Sequence, residues 1–435
     1  VTAAGAITDS GNISVDGSGK TATFAAGGSN NITLDQSGND FKTLLITSGN
    51  NVSIVDTDDI ALGASDVDGT YGITSTNGSI TNTGALDIEG VGTFTVTNGQ
   101  SITLDHGSND FTATPVFSAS SGTIQNVEIT DTSALVFGAL TLAGNLTGTI
   151  SGGAVTQSGV LVVPGTTSIT ASGQDVTFSN ASNNFATIGV TGADVTLRDT
   201  NAVILAASTV SGDLSVTAAG AITDSGNISV DGSSKTATFA AGSGNNITLD
   251  QSGNDFKTLV ITSGNNVSVV DTDDIALGAS TVSGTFTVTA SSITNAGDLA
   301  ITGAATFTIA NGQSITLDSS GNNFSSSVTF AASSGTIADI TIVENSALEF
   351  GGLTITGDLT ATVSGGAVTQ SGALVVPGTT TVTASGQNVT FNNASNNFGT
   401  IGITGANVTI VDTNAMVLGA STVSGTFTVT ASSIT

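Results

Sequence analysis

The chain has 435 residues, among them 56 Gly, 18 Phe and one Tyr, with no Trp and no Cys. Five basic residues stand against 33 acids for a net charge of −28, and all acids but Glu89, Glu128, Glu344 and Glu349 are Asp, a turn former. This balance excludes a helical protein, nucleic-acid binding and attraction to an anionic membrane, while the missing Cys removes disulfides, thiolate metal sites and Cys nucleophiles.

No run of 18 apolar residues exists, so no segment is expected to insert in a membrane as a helix. Val1 opens the chain without Met or a signal-like segment, which suggests a mature product or a piece of something longer. Acidity and scarce aromatics favour disorder, but an apolar fraction of 38% in regular alternation argues for a folded chain.

From the N-terminus, apolar pairs fall at Ile32 and Leu34, Leu44 and Ile46, Val52 and Ile54, and Ile60 and Leu62. Each pair is a short strand of period 2, separated from the next by Ser, Gly, Asn and Asp. Two or three such strands make a coil of roughly 20 residues, at the low end of solenoid repeats. An Asn-Asn-Phe or Asn-Asp-Phe signature ends in Phe41, Phe111, Phe185, Phe256, Phe324 and Phe398, at spacings of 70, 74, 71, 68 and 74. About six modules of ~72 residues follow one another without a linker. The opening text returns at Val216, and residues 1–65 match 216–280 at 60 of 65 positions. The chain therefore reads as two super-repeats, 1–215 and 216–435, in one continuous rod.

Short strands, Thr and Val alternation, Asn turns and Gly corners predict an all-β chain folded as a parallel β-helix, a β-solenoid. A string of immunoglobulin-like sandwiches would want longer strands, linkers and a Trp anchor. The six signature Phe residues are expected in the core, with the Asn before each Phe at the coil corner, its side-chain amide bonded to backbone left open by the turn. Coils rising about 4.8 Å each would build a rod near ~100 Å.

The text GNDFxTxxITSGNNVSxVDTDDIALGAS, flanked by GAITDSG and STVSGTFTVTA, resembles the shaft repeats of filamentous-haemagglutinin-type exoproteins of the two-partner-secretion class. That resemblance implies a right-handed parallel β-helix in a large repetitive adhesin, secreted or held on a bacterial cell surface, with cell-surface or matrix ligands as partners. The secretion domain of such proteins carries Asn-Pro motifs, and no Asn-Pro occurs here. The chain would then belong to the shaft.

Enzymatic chemistry finds little support. The one Arg, Arg198, and the one His, His106, are matched by Val411 and Ser319 in the second super-repeat, and Tyr71 by Phe286. Lys42 and Lys257 follow the signature Phe and point outward by alternation; Lys20 and Lys235 read as solvated edge. The 29 Asp lie along turns without a paired-carboxylate cluster. The densest acidic stretch, Asp56, Asp58 and Asp59, repeated as Asp271, Asp273 and Asp274, offers hard oxygen ligands for Ca²⁺ but reads better as an Asx turn. No catalytic residue, metal ligand or cofactor is expected. The leading expectation is a non-enzymatic extracellular shaft. The alternative is a self-assembling fibre or sheath subunit that stacks end to end through its coil edges. A Thr-ladder ice-binding surface built on TFTVT is a weaker third reading, because the uneven module spacing suggests irregular ladders.

Overall fold

The computed structural model describes every residue, Val1–Thr435. It contains no helix, and so none that is long and apolar enough to cross a membrane. Short parallel strands stack in about 20 coils of roughly 21 residues, a β-solenoid. The chain divides into two compact units, Val1–Gly212 and Asp213–Thr435.

In the first unit one ladder runs through Ile7–Thr8, Ile32–Leu34, Val52–Asp56, Tyr71–Ser75, Gly92–Val96 and Val116–Ala119, every step parallel. The register places Leu34, Ile54, Ile73, Phe94 and Phe117 in one inward column. A second face carries Thr43–Ser48, Ile60–Leu62, Ile80–Asn82, Ile102–Leu104, Val127–Asp131 and Leu146–Ile150. Such columns follow from pleat geometry: alternate residues turn inward, and parallel stacking sets like upon like.

The second unit repeats this plan. Its column of Leu249, Val269, Val288, Phe307 and Phe330 stands where the first unit has Leu34 to Phe117. Close stacking needs small corners. A side chain at Gly90 would meet the Gly69 carbonyl one coil below, and Gly303 stands likewise over Gly284.

The two longest strands run well past the three to five residues that alternation suggests: Leu161–Thr170 and Leu374–Thr383, ten residues each. Each contains a proline, Pro164 or Pro377, and the pairing register slips there, between Val163 and Thr166 and between Val376 and Thr379. Proline cannot donate to a ladder, so it marks the slip where strand pairing passes from one coil face to the next.

Candidate functional site

The polar residues that recur most regularly converge on the coil corners. All six signature Phe rings are at most 1% exposed. Each packs on a second Phe: Phe24 with Phe41, Phe94 with Phe111, Phe178 with Phe185, Phe239 with Phe256, Phe307 with Phe324, and Phe391 with Phe398. Centroids lie 5.9–6.1 Å apart, within the range of favourable aromatic pairs.

The backbone N–H of each signature Phe donates to a carboxylate that comes from the following coil. Phe41 meets Asp56 at 2.6 Å, Phe111 meets Asp131 at 3.3 Å and Phe185 meets Asp199 at 2.6 Å. In the second unit Phe256 meets Asp271 at 2.7 Å, Phe324 meets Glu344 at 3.0 Å and Phe398 meets Asp412 at 2.6 Å. These acids are at most 5% exposed. Each also accepts the N–H two residues ahead in its own turn, from Asp58, Ser133, Asn201, Asp273, Ser346 or Asn414. For the aspartates that second bond is an Asx turn, the geometry expected of VDTDD.

The corner Asn is the residue two positions ahead of the ring: Asn39, Asn109, Asn183, Asn254, Asn322 and Asn396, each 0% exposed. Its Oδ1 accepts a backbone N–H from Ile13, Leu86, Leu161, Ile228, Leu299 or Leu374 in turn, at 2.8–3.0 Å. Its amide also meets a polar side chain from the preceding coil: Asp9, Asn82, Gln157, Asp224, Asn295 or Gln370. Those partners close the short texts ITD, ITN and VTQ, which recur in that order in both units. Every module thus carries one clasp of four parts. The ring and an Asn before it are legible in the sequence, whereas the carboxylate and the upstream partner come together only in the folded coils. The ITD–ITN–VTQ series at near-module spacing was the signal for the partner.

Burial raises the carboxyl of Asp56 to about 6 and that of Asp271 to about 7, against the pull of the backbone N–H groups that favour the ionised form. The acids beside them push the same way: Asp58 and Asp40 at Asp56, Asp255 and Asp273 at Asp271. Burial likewise raises Asp131, Asp199 and Glu344.

The remaining candidates stand apart from one another. Arg198, Lys42 and Lys257 are exposed. His106 sits in a turn, where its Nδ1 accepts the Ser108 N–H at 3.3 Å. Tyr71 is fully buried, edge-on to Phe94, with its hydroxyl 3.4 Å from Ser65 Oγ. The acidic stretch divides by direction. Asp56 turns inward, Asp59 accepts the Ser79 N–H, and Asp58 turns out toward Asp16 and Asp40, one oxygen from each lying within 4.8 Å of the others. The TFTVT hydroxyls stack as Thr287, Thr306 and Thr329, and as Thr289 and Thr308 before Ala331. A longer column runs through Thr294, Thr316, Thr341, Thr360 and Thr381 and stops at Gly402. An apolar hollow of about 120 Å³ over Pro115, Val116, Phe117 and Leu140 is smaller than a usual ligand pocket.

Clasps that recur in every module define a repeat protein held together at its corners. Seven stretches match a family described as repeats of unknown function (DUF5649): residues 1–48, 49–118, 124–191, 192–263, 264–331, 337–404 and 405–435. The chain belongs to that family. The first six stretches each contain one signature Phe, from Phe41 to Phe398. No curated protein and no solved structure matches the chain.

Proposed function

We propose that this chain is a non-enzymatic structural solenoid, a shaft segment of a large repetitive adhesin or exoprotein of the filamentous-haemagglutinin type, working outside a bacterial cell. The observation that carries this reading is the clasp. The polar residues repeated module after module are engaged in holding backbone, each signature Phe N–H donating to a buried carboxylate and each corner Asn accepting a backbone N–H. A repeat whose recurring chemistry is corner-holding serves length and stiffness, the properties a shaft needs. The solvated acids support the same reading, because a net charge of −28 keeps neighbouring shafts apart and their strand edges soluble. The resemblance of GNDFxTxxITSGNNVSxVDTDDIALGAS to haemagglutinin-type shafts supports an extracellular setting.

The test is antibody labelling of intact producing cells, before and after mild protease treatment of their surface. Labelling of intact cells or of their culture medium, with protease stripping the cell-bound signal, supports the reading. Signal that appears only after lysis overturns it.

A further inference from the structure

We propose that the corner clasps make this solenoid acid-hardening: carboxyls buried at the coil corners among backbone amides and other acids, with no cation against them, hold the repeats together more firmly when neutral than when ionised. The geometry comes first. Asp56, Asp131 and Glu344 are 0% exposed, Asp199 is 4% and Asp271 is 5% exposed. The groups that meet them are backbone amides, Ser133 and Ser346 hydroxyls, and further acids: Asp40 and Asp58 at Asp56, Asp255 and Asp273 at Asp271, and Asp110 at Asp131. Arg198 neighbours Asp199 in sequence but alternates to the exposed face. An ionised carboxylate in such a site carries its desolvation without a compensating cation.

Asp131 shows where a proton fits. Its Oδ1 accepts from Phe111, Ser133 N–H and Ser133 Oγ, while its Oδ2 is buried without a partner. A hydrogen on Oδ2 neutralises the group and leaves all three bonds to Oδ1 in place. The directions of titration agree, since burial raises all five of these carboxyls. A native carboxyl titrating near 6 or 7 holds a proton that the unfolded chain, titrating near 4, has already released. The native state therefore binds more protons across that window. Stability is fullest below about pH 4 and falls as pH rises to 7, opposite to a protein whose carboxylates are stabilised by salt bridges.

Relief of surface repulsion would also favour acid, so the measurement is made in 1 M NaCl, where the screening length falls to about 3 Å. Thermal unfolding of the full chain, followed by circular dichroism at pH 7.5, 6.0 and 4.5, should give a melting temperature on the order of 5 °C higher at pH 4.5 than at 7.5. Asp56→Asn with Asp271→Asn should flatten the part of that rise above pH 6, whereas Asp105→Asn with Asp318→Asn on the surface should leave it unchanged. Hydrogen exchange gives a readout that needs no variant. Corrected for intrinsic rate, the amides of Phe41 and Phe256 should be better protected at pH 4.5 than at 7.5. A flat or falling melting temperature toward acid, a rise that survives intact in the Asp56/Asp271 double variant, or equal protection at both pH values overturns the proposal.

Discussion

The backbone N–H of Phe256 donates to Oδ2 of Asp271 at 2.7 Å, across 15 residues of chain and one coil boundary. The same residue thus supplies a ring to the core and a donor to the clasp. Asp271 in turn holds the N–H of Asp273, so one carboxylate fixes the start of one coil corner and the end of another. A parallel stack has no hairpins to set its register. These bonds, with the stacked columns of like residues, do so instead.

Removing the ring should be far more damaging than removing its neighbour. Phe256 is fully buried against Phe239, and Lys257 is exposed. Phe256→Ala should cost about 3–5 kcal/mol and Lys257→Ala under about 0.5 kcal/mol in urea unfolding. Equal losses would mean that the strand faces the other way. Cleavage by a protease should locate the damage to the coils around 239–271, because solenoid stability sums over neighbours.

The corner Asn offers a cleaner test of the clasp than the acid, because it is neutral. Asn254 accepts the Ile228 N–H at 2.8 Å and donates to Asp224 at 2.6 Å, with no exposure to solvent. Asn254→Ala should leave the Ile228 N–H unsatisfied, at about 1–3 kcal/mol, while Asp224 keeps the Asp250 and Gln251 N–H groups. Asn254→Asp should also destabilise, because it sets a second carboxylate against Asp224. Urea midpoints for both variants, read at pH 7.5, check this; an unchanged midpoint for Asn254→Ala would remove the clasp from the account of stability.

How far the sequence displays this structure depends on the range of the interaction. Strand alternation and the signature Phe are local, so the coil and its buried rings are legible from Ile32, Leu34 and Phe41 onward. The clasp joins residues in different coils. Asn39 reaches Asp9 across 30 residues and Phe41 reaches Asp56 across 15. In other modules the acid lies 14 or 20 residues after the ring, so no single spacing exposes it. Exchanges between the super-repeats show the same limit. Gly28 and Ser243 read as a simple small-for-small swap. In the structure a side chain at 28 would strike the Asp68 carboxylate, while Ser243 faces the shorter Ser283, whose hydroxyl donates to the Ser243 carbonyl at 2.7 Å.

A second exchange yields a stabilising substitution. Gly19 has φ +70° and its counterpart Ser234 has φ +63°, the one non-glycine residue in the left-handed region. Both turns close the same way, with Lys20 N–H on the Gly17 carbonyl and Lys235 N–H on the Gly232 carbonyl. A side chain there strains the backbone by roughly 1–2 kcal/mol, which the greater freedom of an unfolded glycine partly offsets. Ser234→Gly should therefore raise stability by about 0.5–1 kcal/mol, and Gly19→Ser should lower it by a similar amount. Opposite shifts in the urea midpoint are the expected result. Shifts of the same sign would show that the two turns are not equivalent.

Calcium provides the last test, at the acidic stretch. Both oxygens of Asp56 already accept backbone N–H groups, so a cation would have to break the clasp to use them. Asp59 likewise accepts the Ser79 N–H at 2.8 Å. Asp58 turns out beside Asp16 and Asp40, where repulsion among three carboxylates responds to any cation that screens it. EDTA should leave the melting temperature unchanged. Millimolar Ca²⁺ should raise it no further than an ionic-strength-matched NaCl control, both in the native chain and in the Asp58→Asn, Asp273→Asn double variant. A specific site would instead give a saturable gain of roughly 1–3 kcal/mol over NaCl, as expected for a ligand well above its dissociation constant, and the double variant would lose it. That outcome would make the outward face of VDTDD a binding site, and its absence would leave the stretch as a turn whose inward acid belongs to the clasp.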